Sequence, residues 1–138
     1  MNVRFRKLAL VGLVLALAGG EALSAQDPPA PAIVQIGLVD GQITVSPDTV
    51  VARQGQVVEW RFDSSTEIQR FNIRFNSAVP FGQSASQTGL NGNGGQPGRG
   101  TVRPEAPVGS VYKYVIRVFV GAGPPIVLDP EVEIGPPT

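Results

Sequence analysis

Asp129, Glu131 and Glu133 alternate near the C-terminus. Residues two apart on a strand share a face, so this spacing gathers three carboxylates, the start of an oxygen set for calcium. Calcium takes about six or more oxygens, and no neighbouring loop supplies the remainder. The spacing therefore reads as the solvated side of a strand whose other side buries Leu128, Val132 and Ile134. Lys113 is the only lysine after Lys7. A Ser–Lys pair needs its amine desolvated in a pocket, and alternation puts Lys113 opposite Tyr112 and Tyr114 instead. Arg61, Arg70 and Arg74, with Asn72 and Asn76, occupy polar positions of alternating runs. Such a set suits an acidic partner or polysaccharide, or forms the ordinary solvent side of an antiparallel sheet. Gly89 to Gly100 (GLNGNGGQPGRG) has the composition of a phosphate cradle. It lacks Gly-Lys-Ser/Thr and opens no helix, so it reads as a flexible loop.

What is missing excludes more. The chain has no His and no Cys, and its only Met is Met1. That removes His-based triads, thiol nucleophiles, and the usual zinc, haem and iron–sulfur sites. No spacing marks two carboxylates as an acid–base pair for glycoside chemistry. The composition implies no cofactor.

The elements that must carry these residues are strands. Ile33 to Val39 is an apolar run followed by Asp40-Gly41, which has type I′ hairpin chemistry. Gln42 to Ser46 alternates and ends at Pro47-Asp48. Thr49 to Ala52 and Gln56 to Phe62 flank a turn at Arg53-Gln54-Gly55. Arg70 to Asn76 alternates cleanly, with Phe71, Ile73 and Phe75 on one face. Val111 to Val120 is a long strand with Tyr112, Tyr114, Ile116, Val118 and Val120 on one side. Ile126 to Leu128 and Glu131 to Ile134 follow, with Pro130 at a bend or edge. Period two with β-branched and aromatic residues, and no helical period, predicts an all-β sandwich. The expected core is Val58, Trp60, Phe62, Phe71, Ile73, Phe75, Tyr114, Ile116 and Val118. Residues 82–109 are expected to form one long flexible loop.

The N-terminus reads as an address. Arg4, Arg6 and Lys7 precede the apolar run Leu8 to Ala18, then Gly19-Gly20 and the small residues Ala22, Ser24 and Ala25. That is the pattern of a secretory signal peptide over residues 1–25, and its apolar run is shorter than the ~20 residues needed to cross a bilayer. Cleavage after Ala25 removes three of the 11 basic and one of the 11 acidic residues, leaving a net charge of −2. A mildly acidic exported protein argues against nucleic acid or anionic membrane as the main partner. Residues 26–31 (QDPPAP) form a stiff linker, and 32–135 the sandwich.

Val34 to Phe75 resembles a plastocyanin-type cupredoxin in Gly37, Asp40-Gly41, Ile43, Val45, Pro47, Gly55, Val58 and Trp60. The family continues with Pro-His-Asn-(aliphatic)-x-Phe, whose His binds copper. Here Arg70-Phe71-Asn72-Ile73-Arg74-Phe75 keeps the Asn, the aliphatic residue and the Phe, and puts Phe71 in place of His. Near the C-terminus the family carries Cys-x-x-His-x-x-x-x-Met. Aligned on Gly121-Ala122-Gly123, those ligands become Ile116, Phe119 and Pro124. The resemblance implies a Greek-key β-sandwich, cupredoxin-like, in which Phe71, Ile116, Phe119 and Pro124 replace the metal ligands. A blue-copper site needs two His and a Cys thiolate, so copper is excluded by composition alone. The resemblance also implies an apolar end where partners dock, here formed by Phe71, Phe81, Phe119, Gly121 and Pro124, either plugged by those side chains or left open under the loop.

These readings predict a non-catalytic binding or scaffolding module, exported to the periplasm or beyond. Its partner is expected to be a protein or apolar ligand of the cell envelope. Two alternatives stand beside it: a structural subunit of an envelope or surface assembly joined by strand addition, and an enzyme using carboxylates or Lys113.

Overall fold

Alternating apolar and polar residues settle into two sheets in the computed structural model, which describes residues 27–62, 67–82, 89–93 and 95–138. The proposed signal peptide lies outside these residues. Ten strands run along the chain: β1 (Ala32–Val39), β2 (Gln42–Ser46), β3 (Thr49–Ala52), β4 (Val57–Phe62), β5 (Ile68–Phe75), β6 (Gly89–Asn93), β7 (Gly98–Thr101), β8 (Val111–Val120), β9 (Ile126–Leu128) and β10 (Glu131–Ile134). One sheet has the order β2-β1-β4-β7. The other has the order β3-β10-β8-β5-β6, with β9 also paired to β8. Both are mixed, because β1 lies parallel to β4 and β3 parallel to β10.

The β1–β2 hairpin turns at Asp40 and Gly41, whose φ angles of 50° and 76° fit the type I′ geometry that Asp-Gly favours. The chain crosses between the sheets after β2, so β2 and β3 belong to different layers. Arg53–Gly55 turns it back into β4, with Gly55 at a φ of 78°. β9 and β10 form one interrupted strand along β8. Pro130 sits at the interruption, where it has no N–H to give and its carbonyl accepts from Tyr114 N–H at 3.1 Å.

The expected core is the observed one: all nine residues named for it are buried except Phe62, which is half-buried. Trp60, Tyr114, Phe75 and Phe81 cluster at its centre. Trp60 meets Phe81 and Tyr114 edge-on at centroid distances of 5.8 and 5.6 Å. Trp60 Nε1–H donates to the Tyr114 hydroxyl at 3.0 Å, so the one tryptophan ties one sheet to the other. Phe62 and Phe71 pack edge-on farther along the sandwich, at 5.7 Å.

The described residues within 82–109, which leave out 83–88 and 94, depart from the expected loop. They contain β6, paired to β5, and β7, paired to β4, so this segment supplies an edge strand to each sheet. The glycines explain why composition misled. A Cβ on Gly92 would overlap the Phe71 ring, and one on Gly100 would come within 2.6 Å of the Phe81 ring. Glycine here permits backbone to lie flat on an aromatic side chain, a strand role rather than a loop role.

Candidate functional site

Two outward-facing surfaces and one cleft hold the polar residues singled out above. The outer face of the six-stranded sheet is a grid set by strand register. Arg70 stands opposite Phe119, Asn72 opposite Arg117 and Arg74 opposite Val115 on the β5–β8 ladder. Arg117 in turn stands opposite Val127 of β9. On the other flank, Lys113 faces Glu131 and Val111 faces Glu133, with Thr49 and Val51 beyond them on β3.

The basic half of this face has its own geometry. The Arg70 guanidinium lies over the Phe119 ring, 4.0 Å from its centroid, a cation–π contact that fixes both side chains. Asn72, Arg74, Asn76, Val115 and Arg117 line a shallow polar hollow of about 260 Å³. Arg70, Arg74 and Arg117 are exposed and form no salt bridge with any described carboxylate. Three cations on neighbouring strands, interleaved with amide side chains, leave an unneutralised positive field over the hollow. Acidic residues occupy the opposite half, where Glu131 takes Lys113 at 3.3 Å.

A larger cleft of about 640 Å³ lies along the side of the sandwich. Asp48, Asp129 and Glu131 line it with Ile43, Val45 and Leu128. The alternating carboxylates thus partly converge, with Asp48 in place of Glu133. Among the described residues, no group of three acidic side chains stands where it could share a metal ion. Lys113 is exposed and ion-paired, without the desolvation that a nucleophilic amine requires.

The structure does not bring together the residues expected at the apolar end. Phe71 is core, against Phe62. Phe81 is also core but packs on Trp60 and Phe75, in the other aromatic group. Phe119 faces outward beneath Arg70, while Gly121 and Pro124 are exposed in the turn after β8. The four positions aligned with copper ligands separate as well. Ile116 and Phe119 lie three apart on the unbroken strand β8, so one points into the core and the other out of it. Phe71 and Phe81 are buried, at 1% and 4% exposure.

Arg61 also moves. It belongs to the four-stranded sheet, where it bonds Glu59 rather than joining Arg70 and Arg74. Arg117, outside the expected set, stands on the basic face instead, opposite Asn72 on the β5–β8 ladder. Comparison with protein-family models and with curated proteins finds no match for the chain.

Proposed function

We propose that this protein is an exported, non-catalytic binding module of cupredoxin-like, Greek-key topology without copper, and that the basic half of its six-stranded sheet binds an acidic polysaccharide of the cell envelope. One observation carries the reading: Arg74 and Arg117 line an amide-bearing hollow on neighbouring strands, Arg70 lies beside it on the same face of β5, and none of the three pairs with a described carboxylate. Guanidinium forks match carboxylate or sulfate groups, and the exposed Asn76 amide matches a sugar hydroxyl as donor and acceptor. The distribution of β2 and β3 between two sheets supports the cupredoxin-like topology. The N-terminal charge and apolar pattern supports export.

Retention on immobilised polygalacturonate tests the reading. The folded chain should be retained at low salt and released as ionic strength rises, because the contacts are exposed and screened. Arg74→Glu with Arg117→Glu should abolish retention while far-UV circular dichroism stays unchanged. Retention that survives this double substitution overturns the assignment of the face, and a wild-type chain that is never retained overturns the acidic polysaccharide.

A further inference from the structure

Glu59 is the one charged side chain buried among the described residues, at 2% exposure, yet it lies on the outward side of β4. Its neighbours Val58 and Trp60 take the inward positions. The two carboxylate oxygens are shared between two arginines. Arg61 Nε–H donates to Oε1, and Arg99 Nε–H donates to Oε2 at 2.8 Å. Arg61 is two residues along the same strand, and Arg99 is the register partner of Glu59 on β7. Burial pushes the Glu59 carboxyl up. The hydrogen bonds and charges of the two arginines outweigh that and hold it below the ordinary carboxylate range, so it is ionised at neutral pH.

The glycines of β7 hold Arg99 in place. Gly98 pairs with Trp60, and Gly100 lies against the Phe81 ring with room for no Cβ. A side chain at Gly100 would lift β7 and carry Arg99 away from Glu59. The Gly-Arg-Gly sequence therefore lowers a backbone onto the core and raises a single guanidinium on its outer side. The outcome is one carboxylate facing two guanidiniums, a local excess of one positive charge. Each guanidinium has five N–H donors, and Glu59 engages the Nε of each. Their outer ends reach water, with side chains 50% exposed for Arg61 and 63% for Arg99.

A free surface arginine loses much rotamer freedom when it grips an anion. Here a buried anion has already fixed both. We propose that Glu59, Arg61 and Arg99 form an oxyanion-binding site, in which a sulfate, phosphate or carboxylate group is gripped between the two guanidinium forks and Glu59 acts as the positioning residue. The site is on the four-stranded sheet and does not rest on the polysaccharide reading of the opposite face.

Sulfate titration followed on the Arg Nε–H resonances tests it. Inorganic sulfate should shift the Arg61 and Arg99 signals together and saturably, and signals that stay still overturn the proposal. Glu59→Gln separates prearrangement from bulk attraction. It raises the net charge by one, so general electrostatics predicts tighter sulfate binding. Loss of the fixed arginine geometry instead predicts binding weaker by about tenfold. Unchanged or tighter binding overturns the proposal. Should Glu59→Gln fail to fold, Arg61→Lys with Arg99→Lys replaces it. That pair keeps both charges and removes the planar forks, and again about a tenfold loss is expected, with unchanged affinity overturning the site. Comparison with glucose 6-sulfate identifies the source: tighter binding of the sugar ester points to a sulfated glycan, equal binding to the free anion.

Discussion

Tyr114 shows how one residue links stability to chemistry. Its side chain is fully buried, and burial, with Asp48 adding to it, pushes the phenol pKa up from 10.0 to about 12 against the opposing Trp60 hydrogen bond. A folded pKa above the unfolded one means that the unfolded chain releases its proton first as pH rises. The stabilisation is complete below pH 10 and is lost between pH 10 and about pH 12. Two pKa units correspond to about 3 kcal/mol. Denaturant titrations at several alkaline pH values should show this decline, and Tyr114→Phe should remove most of it. A Tyr114→Phe chain that loses as much stability over this interval as the wild type would place the alkaline sensitivity elsewhere. Glu59 is the residue-scale counterpart, a buried charge made tolerable by two partners.

At the scale of the elements, β6 and β7 carry the clearest consequence. Gly100→Ala places a Cβ 2.6 Å from the Phe81 ring, which is held on its other sides by Trp60 and Phe75. The ring has little room to retreat, so the substitution should cost about 1–3 kcal/mol, read as a lowered urea midpoint. A cost near zero would mean that β7 does not lie on Phe81. This same segment marks the limit of what period-two reasoning could find. The strands with side chains on both faces, β1 to β5 and β8 to β10, were readable because apolar residues alternate with polar ones. β7 has only glycine at its inward positions, and β6 has one apolar residue, Leu90, in register with Ile73 beside Gly92 opposite Phe71, so neither strand carries an apolar alternation long enough to read. Gly98-Arg99-Gly100-Thr101 does alternate, in a pattern of Gly and polar residues that hydrophobicity does not register. The basic face was half readable for a related reason. Alternation places Arg70, Asn72 and Arg74 together within β5, and Arg117 within β8, but only cross-strand register joins the two strands and sends Arg61 to the other sheet. Glu59 alternates as a solvent residue should, and its burial follows from Arg99, a residue 40 positions away.

The whole molecule is bound together by crossings rather than by local turns. β2 and β3 are neighbours in sequence and lie in different sheets, as do β6 and β7. Trp60 and Tyr114, 54 residues apart, bridge the layers through a buried hydrogen bond. Neither sheet can therefore dissolve while the other keeps its edge strands and its core face. A binding surface made of register-aligned arginines benefits from this, because a flat face holds its geometry only as firmly as the core beneath it. Ile73 and Phe75 anchor β5 between and beside the exposed Arg70, Arg74 and their amide neighbours. Urea unfolding should accordingly follow one transition. Fluorescence of Trp60, the chain's sole tryptophan, and far-UV circular dichroism should give coincident midpoints. The Arg74→Glu and Arg117→Glu variant should keep the wild-type unfolding free energy to within about 0.5 kcal/mol, since both side chains are exposed and free of described ion pairs. Fluorescence changing well before circular dichroism would show the layers parting at Trp60 while strands persist, and the arginine face would then sit on a sheet able to move independently of the rest.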